Sequence, residues 1–314
     1  MLKVGLAGAG SISDAHITAW EAMEDVKLTA LCDVRKECLT PYADKACYLS
    51  FEEMLNKEKL DILDICLPTP LHVDCAVTAM KRGIHVICEK PLSLKTEEIE
   101  RAYLTAHQYG VCFMTAQVLR FWPEYELLKD LYVSGQYGRL LSGSMQRIGP
   151  SPKGRPGNWM LCKEQSGLVP FDLHIHDLDF IFYAFGAPSG FIPHRAKRAD
   201  QDYLSVVYEF PDFFITAESS WYAAPYPFTA GYRFQFEKAV IAYEGGVCKI
   251  YQNDGTILNL SDGSAPAVAP VLLEKGDAYA REIRYFTDCV KTGSFPNKVT
   301  PEELCAVATM LNQL

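Results

Sequence analysis

The strongest constraint in this chain is a rhythm that fills its first third. Five short, largely apolar runs, Leu2–Ala7, Lys27–Cys32, Asp61–Leu67, Ile84–Cys88 and Val111–Thr115, alternate with helix-period stretches at Ser13–Met23, Arg35–Lys45, His72–Arg82 and Thr96–Tyr109. Strands with so little polar alternation must be covered on both faces, and the helices between them supply the cover. The pattern therefore predicts an α/β fold with a doubly wound parallel sheet and right-handed crossovers.

Beyond about residue 120 the rhythm changes. A helix at Glu124–Ser134 leads to a strand at Arg139–Arg147, and a further helical stretch covers Asp172–Phe185. Strands rich in Tyr, Phe and Val follow at Tyr203–Phe210, Phe213–Ser220, Tyr232–Phe236, Ala239–Tyr243 and Val247–Tyr251. Their turns are marked by Pro211-Asp212, Gly245-Gly246 and Asp254-Gly255. This is the text of a large, mostly antiparallel open sheet in an α+β domain. Helices at Ala278–Thr292 and Pro301–Asn312 end the chain, and the Pro/Gly-rich stretch Gly149–Gly157 reads as a loop. At 314 residues the length suits two domains of roughly 150 residues each, placed at 1–120 and 121–314.

The net charge of −9 argues against a nucleic-acid partner, which requires a basic face, and against anionic membranes. No run of about 18 apolar residues suggests a membrane span, and MLKVGLAGAG lacks the apolar core of a signal peptide. The 11 cysteines form no C-x-x-C pair. Thiols scattered this way fit a reducing compartment, and the expectation is a cytoplasmic protein.

The first strand runs into Gly8-Ala9-Gly10-Ser11-Ile12-Ser13, a G-x-G-x-x-S turn that opens a helix. In a dinucleotide site, Gly8 permits the tight turn and Gly10 lets the backbone approach a pyrophosphate, while the third position need only be small. The phosphates then face the amides of Ser11 and Ile12 at the helix N-terminus. A ligand-free strand–helix turn would use the same glycines, so the second strand matters. It ends at Asp33, placed to accept hydrogen bonds from an adenosine ribose, which favours NAD because a carboxylate repels a 2′-phosphate. Arg35, two residues on, keeps NADP open as the cofactor.

Two further segments resemble the Gfo/Idh/MocA oxidoreductases, a family named for glucose–fructose oxidoreductase and inositol dehydrogenase. One is Leu67-Pro68-Thr69-Pro70-Leu71-His72 followed by Glu89-Lys90-Pro91; the other is Asp172-Leu173-His174-Ile175-His176, similar to the family's D-x-x-x-H helix. The resemblance implies that Lys90 orients a substrate alcohol and stabilises developing alkoxide charge, with Glu89 tuning it and the Lys90–Pro91 bond a candidate for cis. It implies that His176 takes the hydroxyl proton and that Asp172 orients the ring or a neighbouring hydroxyl. Four residues apart on a helix, the two share a face. Pro68, Thr69, His72 and Gln117 are candidates to border the cofactor, and Arg120 and Trp159 to meet the substrate. Gly167-Leu168 departs from the family's Gly-Gly pair.

No metal is expected, because two imidazoles at i, i+2 on a helix face apart. The expected function is hydride transfer between NAD(P) and a hydroxyl-bearing carbon of a sugar, inositol or related polyol, in a homodimer or homotetramer built through the second sheet. A redox-assisted glycoside hydrolase or lyase and a non-catalytic dinucleotide sensor are the competing functions.

Overall fold

The computed structural model describes residues 1–152, 156–261 and 277–314. The alternating text of the first third becomes a six-stranded sheet in the order β3-β2-β1-β4-β5-β6, parallel at every pairing. The chain passes through β1 (Leu2–Ala7), α1 (Ser13–Glu21), β2 (Val26–Cys32), α2 (Lys36–Leu39) and β3 (Ala46–Tyr48), reaching one edge. It returns through α3 (Phe51–Lys57) to β4 (Ile62–Ile65) on the other side of β1, then continues through α4 (His72–Met80), β5 (His85–Cys88), α5 (Thr96–Tyr109) and β6 (Phe113–Thr115). The reversal between β1 and β4 makes a switch point, and ligands of open α/β sheets bind beyond the strand ends there. Val4, Leu6, Ile62, Leu63, Ile65, Val86 and Ile87 are all fully buried. At about 1.5–3 kcal/mol for each large aliphatic side chain, these strands anchor the core.

Three elements depart from the sequence expectation. The helix expected over Arg35–Lys45 stops at Leu39 and gives way to a 3-10 turn, Thr40–Tyr42, because Pro41 cannot continue an α-helix. Strand β3 is only three residues long and half exposed, too short for its alternation to register. Helix α3 was not anticipated either, although Ser50 caps it by accepting the Glu53 amide and two glutamates follow in the first turn.

The second sheet has eight strands in the order β14-β13-β12-β11-β7-β10-β9-β8. Helix α6 (Pro123–Ser134) leads into β7 (Leu140–Pro150), after which come a 3-10 turn (Pro156–Leu161) and α7 (Lys163–Ser166). Of the expected Gly149–Gly157 loop, residues 153–155 lie outside the described residues. A π turn over Pro170–His174 then runs into α8 (Ile175–Phe185). The remaining strands are β8 (Gly190–Arg198), β9 (Gln201–Glu209), β10 (Phe214–Tyr222), β11 (Thr229–Phe236), β12 (Ala239–Glu244), β13 (Val247–Gln252) and β14 (Ile257–Asn259). All neighbours are antiparallel except β7 and β10. Period two is clear in β9, where Leu204, Val206 and Tyr208 are fully buried and the residues between them are not. Gly245 and Gly246, with φ of +58° and +78°, form the two-residue turn between β12 and β13, a backbone only glycine adopts cheaply. Strand β8 escaped the sequence reading because Pro193 and a run of charged residues occupy it, both tolerated at a sheet edge.

Helices α9 (Ala278–Thr292) and α10 (Pro301–Leu311) correct the expected domain boundary. The chain divides into two compact units, the first taking Met1–Phe121 together with the helical return as far as Thr309, the second beginning at Trp122 and regaining the chain at Met310–Leu314. The break near 120 agrees with the change of rhythm, but α9 belongs with the parallel sheet. It buries Ala278, Ile283, Phe286 and Cys289 and packs against α1, where the His16 and Tyr279 rings lie 5.7 Å apart. A return of this kind leaves no mark on local periodicity.

Candidate functional site

In the first unit the glycine turn has the shape a pyrophosphate needs. Gly8 adopts φ +97°, and a Cβ there would stand 2.4 Å from the Cys66 carbonyl oxygen, so only glycine closes the turn. A Cβ at Gly10 would meet nothing within 4 Å, so that glycine is not demanded by the protein's own packing. No side chain caps the N-terminus of α1, leaving its first amides for an anion, with Ser11 exposed and Ile12 half-buried beside them. Ser13 turns inward, donating to the Gly10 carbonyl oxygen at 2.6 Å.

Asp33 ties this turn to the end of β2. Its Oδ2 accepts the Ala9 amide at 3.0 Å, and its Oδ1 accepts the Arg35 amide at 2.8 Å. The Arg35 guanidinium adds bonds of 3.0 and 2.9 Å. Burial alone would raise this carboxyl, but Arg35 and the Ala9 amide hold it below the usual carboxylate range. The group is therefore an ionised acceptor beside the glycines.

At the end of β4, Thr69 is buried and Pro68 half-buried on a short 3-10 turn. His72 corrects an expectation. It is 1% exposed, with Nδ1 2.9 Å from the Pro91 carbonyl oxygen and Nε2 2.6 Å from that of Leu67. It clamps two loops and does not face a ligand, and burial lowers its pKa. Arg120 is a second correction: fully buried, it donates to Glu303 Oε2 at 2.5 Å and to the Lys298 carbonyl oxygen at 2.8 Å. It fastens α10 rather than a substrate. Gln117 is buried, and its Nε2 has no hydrogen-bond partner among the described residues.

Lys90 stands half-buried where β5 ends, and the Lys90–Pro91 bond is cis. Behind it lies a cluster that sequence reasoning missed. His16 on α1 is fully buried, with Nδ1 2.8 Å from Asp64 Oδ2 and Nε2 3.1 Å from Glu89 Oε1. Trp20 Nε1 donates to Asp64 Oδ2 at 2.7 Å, and Glu89 Oε2 accepts the Lys90 amide at 2.9 Å. Glu282 of α9 is also fully buried, beside the Gln117 backbone amide. Burial, with Glu89 and Asp64 nearby, pushes its carboxyl far up. The signal was present: His16, Asp64 and Glu282 are ionisable residues inside apolar stripes, where such groups almost never sit unpaired. The ligand atoms of His16, Asp64 and Cys66 lie within 4.8 Å of one another. Both imidazole nitrogens are nevertheless engaged with carboxylate oxygens, and burial pushes the Cys66 thiol up to about 12. The set is a hydrogen-bonded cluster rather than an open ligand cage.

In the second unit, Asp172 and His176 are both half-buried, and Asp172 Oδ2 accepts the Trp221 indole N–H at 3.1 Å. They do not lie on one regular helix as expected. Asp172 sits in the π turn and His176 in the first turn of α8, and such insertions are frequent at functional sites. Leu168, at the Gly-Gly departure, takes φ +61°, a conformation that costs an ordinary residue about 1–2 kcal/mol. His174 is fully buried between Ser219 Oγ at 3.0 Å and the Tyr208 hydroxyl at 2.6 Å. Burial brings its pKa down to about 3, so it stays neutral. Trp159 is half-buried in the 3-10 turn. A separate buried pair joins Arg147 to Asp177 at 3.0 Å, with the Tyr125 hydroxyl 3.2 Å from the same nitrogen.

Two family models match the chain: an oxidoreductase family with an NAD-binding Rossmann fold over residues 2–117, and the GFO/IDH/MocA C-terminal domain over residues 125–242. Myo-inositol 2-dehydrogenase of Thermotoga maritima is 26% identical over 189 residues, which are 59% of this chain and 55% of that protein. D-glucoside 3-dehydrogenase of Escherichia coli is 28% identical over 197 residues, 60% of this chain and 55% of that protein. The chain spans about half the length of the curated relatives it matches. Among solved structures, levoglucosan dehydrogenase in complex with NADH superposes with a TM-score of 0.82 at 17% identity, covering 99% of this chain and 95% of that one, a likeness of fold. With the glycine turn on the parallel sheet and both of the family's domains matched in order, the chain belongs to the Gfo/Idh/MocA oxidoreductase family.

Proposed function

We propose that this chain transfers a hydride between NAD and a hydroxyl-bearing carbon of a sugar, inositol or related polyol. The observation that carries this reading is the glycine turn, closed by backbone at Gly8 and open at Gly10, beside the uncapped start of α1. When bound, the nicotinamide would accept or return the hydride, and the protein supplies position and charge. Gly8, Gly10, Ser11 and Ile12 would hold the pyrophosphate and Asp33 the ribose. Pro68, Thr69, Glu89, Lys90 and Gln117 would border the remainder of the dinucleotide. The Arg35 guanidinium, about a third exposed, is the group that would accept a 2′-phosphate, so NADP is the second cofactor to test.

Lys90 would orient the substrate hydroxyl and stabilise the alkoxide as it forms. His176 would take the proton, since an imidazole nitrogen can both accept and return one. Asp172, steadied by Trp221, would orient that imidazole or a neighbouring hydroxyl, and Trp159 would offer a sugar an aromatic face. The first unit is then the NAD(P)-binding domain. The second binds substrate and assembles a homodimer or homotetramer through its sheet, which exposes Leu141, Ile192, Tyr203 and Phe214. All eleven cysteines are free, which supports a cytoplasmic setting. No helix among the described residues is long and apolar enough to cross a membrane.

The test is a panel of sugars and inositols, each incubated with NAD and with NADP while reduced nicotinamide is followed. Net reduction that Lys90→Met lowers by roughly 10²–10⁴-fold, with dinucleotide affinity barely moved, is the expected result. Sugar release with retained nicotinamide and no net reduction would replace this reading with redox-assisted bond cleavage. Biological activity unchanged by Lys90→Met and His176→Ala would replace it with a dinucleotide sensor.

A further inference from the structure

A neutral imidazole has one N–H and one lone pair, whichever tautomer it adopts. Flanked as it is by Asp64 and Glu89, His16 would in either tautomer aim a lone pair at a carboxyl oxygen, unless that carboxyl carried a proton. The other contacts decide between these states. Asp64 Oδ2 also accepts from Trp20, Asp64 Oδ1 lies 3.6 Å from the Cys66 thiol, and Glu89 Oε2 accepts the Lys90 amide. Asp64 thus accepts at both oxygens, and the arrangement in which Glu89 also accepts from the ring is one with both His16 nitrogens protonated. Burial opposes a charged ring here, yet Asp64 and Cys66 raise the His16 pKa well above its ordinary value.

We propose that His16 is a positioning residue for Lys90: held as an imidazolium between Asp64 and Glu89, it fixes the Glu89 carboxylate whose other oxygen grips the Lys90 backbone amide. The groups facing it are Asp64 and Cys66 from β4 and its exit, Glu89 at the exit of β5, and Glu282 and Tyr279 from α9. Burial pushes the Glu282 carboxyl far up, toward its neutral form, which leaves Asp64 and Glu89 to share the imidazolium. The residue also joins two parts of the unit. His16 rides on α1, whose N-terminus adjoins the glycine turn, and Lys90 closes β5. The significance of Lys90 rests on the proposed function; the hydrogen-bonding claim does not.

Two measurements on the full chain test it without any substrate. Imidazole ¹⁵N spectra of histidine-labelled protein, with His16 assigned by its loss in His16→Gln, should show two protonated nitrogens at neutral pH. A single lone-pair nitrogen would overturn the proposal. So would a stoichiometric bound metal found by elemental analysis and lost in His16→Gln, because a metal needs that lone pair. Hydrogen exchange at the Lys90 amide should quicken by roughly tenfold in His16→Gln, the scale of one lost charge-assisted hydrogen bond; unchanged exchange would overturn the positioning role. If the variant does not fold, through-bond correlation of the His16 ring to its own backbone assigns the wild-type ¹⁵N signal, which then decides the protonation state on which the role depends. With a substrate in hand, kcat should fall about 10²-fold while the KM for dinucleotide stays within roughly threefold, the pattern of a misplaced catalytic group. Absence of turnover in wild type would count against the proposed function and leave the spectral and exchange results standing.

Discussion

Each of the two units buries a charged cluster, and the clusters differ in their cation. In the second unit the cation is Arg147, 8% exposed at its side chain, set against the fully buried Asp177 and the Tyr125 hydroxyl. A guanidinium does not give up its proton in a protein. In the first unit the proposed cation is His16, near the carboxyls of Asp64, Glu89 and Glu282. Burial pushes the Glu282 carboxyl far up, toward its neutral form. One cluster is a fixed strut. The other is built from titratable groups and lies behind Lys90.

The largest expected effect breaks the strut. Arg147→Met leaves Asp177 buried without its cation and should cost about 3–5 kcal/mol in denaturant unfolding. A loss below about 1 kcal/mol would mean that Asp177 is already neutral, erasing the distinction. Glu282→Gln should act in the opposite direction. The Glu282 pKa is raised on folding, so its contribution is full at low pH and is lost as pH rises above the ordinary glutamate range. The amide needs no proton, and the variant should be more stable than wild type at neutral pH, with the gain growing as pH rises. A destabilised variant at pH ~8 would place the proton elsewhere.

Asp33 and Arg35 form a pair between these extremes, buried at the carboxylate and about a third exposed at the guanidinium. Asp33→Ala should weaken NAD by roughly tenfold in equilibrium titration, and NADP by less, because in the proposed site the lost acceptors would serve the ribose hydroxyls. Equal losses for both would remove Asp33 from the ribose site. The smallest effect reads the titratable cluster itself. The His16 pKa is raised on folding, so its contribution is complete below the unfolded value near 6.5 and is lost as pH rises toward the folded one. The stability gap between wild type and His16→Gln should therefore narrow as pH rises from ~6.5 to ~8. A gap that widens would exclude a charged His16.

Fold was more legible than chemistry. Strand β1 and helices α5 and α9 fall where periodicity puts them, since β1 is a compact, mostly apolar run and each helix buries one face at helical spacing. Strand β3 is too short, β8 too polar, and α2 is cut by Pro41. The glycine turn and Asp33 could be read because their spacing is local. Arg120 and His72 were assigned outward roles because a sequence does not disclose burial, and both spend their donors on backbone carbonyls or a buried ion pair. His16, Asp64 and Glu282 went unread for the complementary reason: they meet only across α1, β4 and α9, 48 residues apart in one pair and far more in the others.

The π turn at Pro170–His174 carries one residue more than an α-helical turn would. Each residue of a helix advances about 100° around its axis, so that single surplus sets the compass bearing of Asp172 relative to His176. Removing one residue from this stretch would let ordinary i→i+4 bonding close over the gap. It would swing the Asp172 carboxylate away from the Trp221 indole while α8 kept its course. Along this wall, the direction of a carboxylate is controlled by arithmetic in the chain, and a shortened helix could retain every side chain named here and still point one of them the wrong way.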